Sequence, residues 1–273
     1  MNRTPLTLLT FLLLAVVPAC GDGFGGALIS DEQEVQLGEE VDAEIRSQYT
    51  LRADNDAVTI WARELSVPII AASTGWRNPD DFGGYQVDVI DDDQLVNAFA
   101  APGGFVYIST GLIMTAGSCA EIAGVVSHEL AHVTERHTVE SLEQQYAAQE
   151  IIGWFLGDAL AGDIAKIIYA LVVDTAFSRD DEAEADDVGL QIVYDAGYNP
   201  YGLVDFFETL LAMEGNGIGY PDFLSTHPAT EERVSELKSL IKEYWGSDVV
   251  RDRTQTYECV GTTRTLEQIQ SEP

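Results

Sequence analysis

The sequence predicts an α+β domain, mainly helical, with a small β-sheet. Two observations predict it. Apolar residues recur at helical spacing over most of the chain, and only two short segments alternate with a period of two. Composition permits such a domain. Of 273 residues 46% are apolar and 22% charged, enough for a sizeable core without metal or disulfide staples.

The amino-terminal element is a targeting signal. Arg3 gives a positive start, and the apolar run Leu6 to Val17 is too short to span a bilayer. Val-Pro-Ala-Cys follows at 17–20, and a cysteine directly after a small residue resembles the bacterial lipoprotein signal. That likeness implies a signal peptide over 1–19 and a lipid on Cys20. A tether over 20–30, glycine-rich from Gly21 to Gly26, would hold the chain at a membrane on the periplasmic side of a bacterial envelope. Export puts Cys119 and Cys259 in an oxidising compartment, where they are expected to pair and pin a polar tail, 246–273, to the main domain, 31–245.

The domain elements follow in order. Residues 31–72 read as helical, with Glu34, Val35, Leu37, Val41 and Ile45 on one stripe and a second stripe over 58–72. Residues 75–84, with Pro79 and paired glycines, form a turn-rich connector. The segment 85–90 alternates as a strand, and 105–109 is a second strand reached through Pro102-Gly-Gly. Helical spacing returns over 120–136, 139–177, 180–196, 200–213 and 229–245, and the tail is expected to carry one short strand. The apolar stretch 151–177 is interrupted by Asp158, Asp163, Lys166 and Asp174, so it is expected to be a buried helical hairpin rather than a membrane span.

Fourteen basic against 46 acidic residues leave a formal charge of −32. Such a surface repels phosphate backbones, which argues against nucleic-acid partners. It favours solubility, divalent cations or a salty medium.

The informative string is His128-Glu-Leu-Ala-His132. On a helix, residues four apart share a face, so both imidazoles can reach one metal while Glu129 stands beside it as a base. With four His in the chain, a random match has odds on the order of half a per cent. A catalytic zinc needs a third protein ligand and a position left for water. Glu182 is the best candidate, with Asp186 four residues on to accept the N–H of a ligating His; Glu184 and Asp187 remain alternatives. Asp180 and Asp181 read as compensation of a helix dipole.

Several strings together resemble the zinc metallopeptidases of the HtpX and CAAX-prenyl-protease family, in their soluble form. These are Ser30 to Gly38, Asn97-Ala-Phe-Ala-Ala-Pro-Gly-Gly104, Thr110-Gly-Leu, His128 through His137, Ser178 to Asp186, Ser225-Thr-His-Pro228 and Arg233. The resemblance covers roughly 28–245 and implies a zincin-like domain built round the active-site helix. It also implies one zinc per chain on His128, His132 and Glu182, with Asp186 supporting them. The stretch from Asn97 to Ile108, with Ala98, Phe99, Gly103 and Gly104, resembles the family's substrate-facing edge strand. His227 has three readings: a donor to the oxyanion, a fourth ligand in a latent state, or a residue capping the turn before Pro228. Arg233 either assists substrate binding or anchors the last helix, and His137 is structural. The implied activity is endopeptidase hydrolysis of unfolded or misassembled exported proteins. The competing reading is a zinc-bearing chaperone or assembly factor for outer-membrane proteins, its protease activity gated by His227.

Overall fold

A computed structural model describes residues 28–146, 148–155, 161–216, 221–251 and 259–272. The expected signal peptide, Cys20 and the glycine-rich segment 21–26 lie outside them.

Two helices open the domain, α1 (Asp31–Gln48) and α2 (Ala57–Ser73). Ser30 caps α1 reciprocally with Gln33, which satisfies end groups that a helix cannot satisfy itself. Three strands follow, β1 (Gln86–Ile90), β2 (Ala98–Ala101) and β3 (Phe105–Ser109), in the sheet order β1-β3-β2. β3 runs parallel to β1 and antiparallel to β2. The segment expected as one edge strand from 97 to 108 is therefore two strands: β2 lies at the edge, and β3 is central. Gly103 and Gly104 make the turn between them at φ 73° and 85°. A side chain at Gly104 would stand 2.3 Å from the carbonyl of Gly84, so this turn admits only glycine there.

The remaining helices are α3 (Thr110–Thr115), α4 (Cys119–Thr134), α5 (His137–Gln145), α6 (Ala148–Phe155), α7 (Ala161–Tyr169), α8 (Arg179–Asp195), α9 (Tyr201–Gly215), α10 (Phe223–Thr226), α11 (Glu231–Trp245) and α12 (Leu266–Gln270). The long helical stretch expected over 139–177 is broken, and a short π-helical turn over 170–174 ends it. The described part of the tail carries α12 and no strand. Its capping box, Thr265 with Gln268, explains why a polar segment still nucleates a helix. Among the described residues, no helix is long and apolar enough to cross a membrane.

Period-two alternation gives the sheet two apolar faces. Val87, Val89, Ala98, Ala100, Val106 and Ile108 pack into the core shared by α2, α4, α8, α9 and α11. Phe99, Ala101 and Tyr107 pack on the other face, against Leu37, Val41 and Ile45 of α1 and Ile164 and Ile168 of α7. α4 is thereby buried on nearly every side. Gly202 lets α9 approach it closely: an added Cβ there would lie 2.0 Å from the carbonyl of Ala120.

Cys119, the first residue of α4, is joined to Cys259 by a disulfide, with Cα atoms 5.3 Å apart. Side chains add to the hold on the tail. Gln270 donates to the carbonyls of Ile113 and Ala116, and Trp61 donates to that of Arg264.

Candidate metal centre

Residues 128 and 132 project from one face of α4, one turn apart. Residues 182 and 186 project likewise from α8, which packs along α4. α8 begins with Ser178 and Asp181 capping one another, so Asp181 is spent on the helix end while Glu182, one residue on, turns inward. His227 follows α10, whose register against the sheet is held by the Phe223 N–H donating to the carbonyl of Val96.

These side chains meet inside the protein. His128, His132, Glu182 and His227 are all buried, and one donor atom from each lies within 4.8 Å of the others. His128 Nε2 stands 3.1 Å from His132 Nε2, 3.2 Å from His227 Nδ1 and 3.6 Å from Glu182 Oε2. His132 Nε2 is 3.5 Å from Glu182 Oε1. Bonds of 2.0–2.1 Å to one tetrahedral zinc put donor atoms about 3.3 Å apart, so the donor set fits that ion. The crowding of ring nitrogens in a dry interior is what a shared cation relieves.

The surrounding charges orient the donors. Asp186 Oδ1 faces His128 Nδ1 at 3.1 Å. Arg233, from α11, is buried; its Nε and Nη2 grip the Asp186 carboxylate at 2.6 and 2.8 Å, while Nη1 reaches Glu182 Oε2 at 2.5 Å. Burial alone would raise the carboxyls of Glu182 and Asp186; the neighbouring side chains, His227 and Arg233 for Glu182 and Arg233 for Asp186, outweigh it and hold both below the usual range. Glu129 differs. Burial dominates there and raises its carboxyl, although the backbone of Ala100 hydrogen-bonds to it. Its Oε1 lies 3.3 Å from His227 Nε2, and neither atom has a hydrogen-bond partner among the described residues.

Ala100 is the middle of β2, so the unpaired edge of the sheet runs past Glu129. Asn97 heads this strand, buried, with its N–H on Ser109 Oγ. The side chains of Ala98 and Phe99 are buried on opposite faces, which leaves only main chain at the edge. Gly103 and Gly104 sit in the turn beyond. Arg233, expected either among the peptide-contacting residues or as an anchor, lies beneath Glu182 and Asp186 with its N–H groups engaged by them.

Glu34 and Arg136 lie in strings noted above without a role of their own, and Arg77 in the connector; the three form one cluster centred on the buried Glu34. Glu34, in the apolar stripe of α1, accepts from Arg77 and Arg136 and from the N–H of Gly103. A carboxylate on a stripe that faces the core was the available signal. Phe177 was also missed; its ring stacks on His132 with centroids 4.1 Å apart.

The comparisons agree with this geometry. A model of peptidase family M48 matches residues 66–241, more than half of the chain. The chain is 27% identical over 229 residues to a "Beta-barrel assembly-enhancing protease" of Escherichia coli, covering 78% of this chain and 45% of that protein. It is 34% identical over 148 residues to "Mitochondrial metalloendopeptidase OMA1" of Arabidopsis thaliana, covering 54% and 30%. It is 33% identical over 155 residues to "Metalloprotease YcaL" of E. coli, covering 54% and 58%. The chain thus spans about half the length, or less, of these relatives. It belongs to peptidase family M48, a family of zinc metallopeptidases.

Proposed function

With membership of that family as premise, we propose that the chain is a zinc metalloendopeptidase, cutting within extended segments of unfolded or misassembled proteins at the cell envelope. The observation that carries the reading is the meeting of three parts at one point: a buried four-donor cluster, a buried carboxyl beside it, and an open strand edge whose Ala100 touches that carboxyl.

His128, His132 and Glu182 would hold the zinc. When bound, zinc supplies a Lewis acid that polarises the scissile carbonyl and makes water a nucleophile near neutral pH. Glu129 takes the proton from the attacking water and delivers it to the departing amine. Asp186, gripped by Arg233, fixes the ring of His128, so Arg233 acts on the ligands rather than on the peptide. A substrate adds as a strand to the free edge of β2 through main-chain hydrogen bonds. The name of one relative, a β-barrel assembly-enhancing protease, supports misassembled proteins as substrates, and the sequence features of residues 1–30 support a signal peptide to 19 and a lipid on Cys20. The peptidase unit is 31–245 and the disulfide-pinned tail 246–273.

A second reading, latency, is favoured by one observation. His227 Nδ1 is as near to His128 as His132 is, and it lies 2.8 Å from Glu182, so a fourth protein donor belongs to the set and would compete with water for a zinc held by the other three. Under this reading the chain acts as a chaperone or assembly factor until His227 withdraws.

Casein hydrolysis, measured with zinc content, separates the readings. An active parent and a Glu129→Gln variant reduced about 10²–10⁴-fold with its zinc retained is the expected result. A silent parent with activity appearing in His227→Ala indicates latency. Silence in the parent, Glu129→Gln and His227→Ala, each with one zinc, would overturn the peptidase reading in favour of the chaperone.

A further inference from the structure

Five residues beyond His132, the chain does something a helix cannot. Continued helically, residue 137 would stand about 140° round the axis from residue 132 and point away from the metal donors. Instead α4 stops, Arg136 takes φ 61° and ψ 30°, and α5 starts at once with His137. Arg136 is the only non-glycine residue with positive φ among those described. A left-handed arginine persists only where its surroundings hold it. They do: Arg136 Nε donates to Glu34 at 2.9 Å and Nη2 to the carbonyl of Ile29 at 2.6 Å, and Arg77 locks Glu34 from the other side.

The product of this turn is a close contact. His137 is buried, and its Nδ1 stands 2.8 Å from His132 Nδ1. The other nitrogen of His132, Nε2, is the one that faces His128 and Glu182. A histidine that binds metal through Nε2 carries its proton on Nδ1 and needs an acceptor there. His137 Nδ1 is the atom in that place. To accept, His137 must carry its own proton on Nε2, and that atom faces Glu184 Oε2 at 3.4 Å. One proton arrangement therefore satisfies the row from His132 through His137 to Glu184. Phe177, stacked on His132, fixes the plane of the ring and leaves its rotation within that plane to His137.

We infer that His137 is a positioning residue for His132, accepting its Nδ1–H and oriented in turn by Glu184, and that the left-handed turn at Arg136 exists to deliver it. The inference rests on reading His132 as a metal ligand.

The test is the zinc affinity of the full chain, by competition with a chromophoric chelator. His132→Ala is expected to lose stoichiometric zinc; if it does not, the ligand assignment fails and the inference with it. Given that loss, His137→Phe, which keeps a ring and removes the acceptor, is expected to weaken zinc about 10–100-fold. His137→Asn, whose Oδ1 can stand in for Nδ1, is expected to recover most of that affinity. Parental affinity in His137→Phe overturns the inference, and so does His137→Asn as weak as His137→Phe, since packing alone would then explain the loss. Should His137→Phe not fold, the exposed Glu184 decides through Glu184→Ala: a several-fold loss supports the row of hydrogen bonds, and an unchanged affinity overturns it.

Discussion

Two carboxylates of this protein have the same partners in kind and opposite settings. Glu34 is 1% exposed and is held by Arg77 and Arg136 beside the turn that follows the metal-binding helix. Glu208, on α9, is held by Lys238 of α11 and by Arg251, and the side chains of this group are between a quarter and two-fifths exposed. The difference teaches what each network is for. Water competes for exposed pairs, so they contribute little and cost little to lose. A buried pair has already lost its hydration, so removing one partner strands a charge. The protein places the costly kind where geometry must not drift, under Gly103 of the turn between β2 and β3 and Arg136 of the left-handed turn. It uses the cheaper kind where the chain leaves α11.

Three changes would break or sharpen this comparison. Among the described residues, replacing Glu34 with Ala leaves Arg136 with no carboxylate and Arg77 with only Asp31, and urea denaturation should show a loss of about 3–5 kcal/mol. A loss under 1 kcal/mol would mean that the buried network is no more binding than the exposed one. Opening the Cys119–Cys259 link by Cys259→Ser removes a crosslink over 140 residues and should cost about 2–4 kcal/mol, with early proteolysis of the tail. If the variant melts like the parent and resists protease, side-chain contacts alone hold the tail. Glu208→Ala should cost at most about 1 kcal/mol.

The same carboxylate gives a pH dependence whose sign is fixed. Burial, the largest single influence, raises the Glu208 carboxyl, but hydrogen bonds and charge from Arg251 and Lys238 together outweigh it and hold it at about 2, against 4.5 when free. The folded state thus prefers the ionised form, so the contribution is complete above 4.5 and is lost as pH falls towards 2. Acid titration of stability over that window should be shallower in Glu208→Ala than in the parent. An identical slope would show that the pairing does nothing for the fold.

Much of the metal centre was legible in the sequence because it is local. His128 and His132, and Glu182 and Asp186, are pairs four apart on two helices, and helical periodicity alone puts each pair on one face. The helices themselves were legible for the same reason, to within a few residues at most ends. What was not legible depends on how helices end. α5 through α7 read as one long stretch, because hydrophobic periodicity does not report where a helix breaks. β2 is four small or aromatic residues, too short and too uniform to show alternation, so only resemblance pointed to an edge there.

His137 marks the boundary between the two kinds of knowledge. Its residue type and its distance from His132 were in plain view, yet five residues along a helix is the wrong side. The contact exists because Arg136 leaves the helix, and Arg136 can do so because Glu34, a hundred residues earlier, lies against it. Arg233 is similar, since nothing near it in sequence says that its charge is spent on Asp186 and Glu182. The sequence by itself determined which residues could be ligands and which elements carry them, since those follow from repeats of 3.6 and 2 residues. Only the tertiary structure decided that a third histidine reaches His132 and that the edge of β2 passes Glu129. Both are contacts between segments far apart in the chain, and packing rather than periodicity sets them.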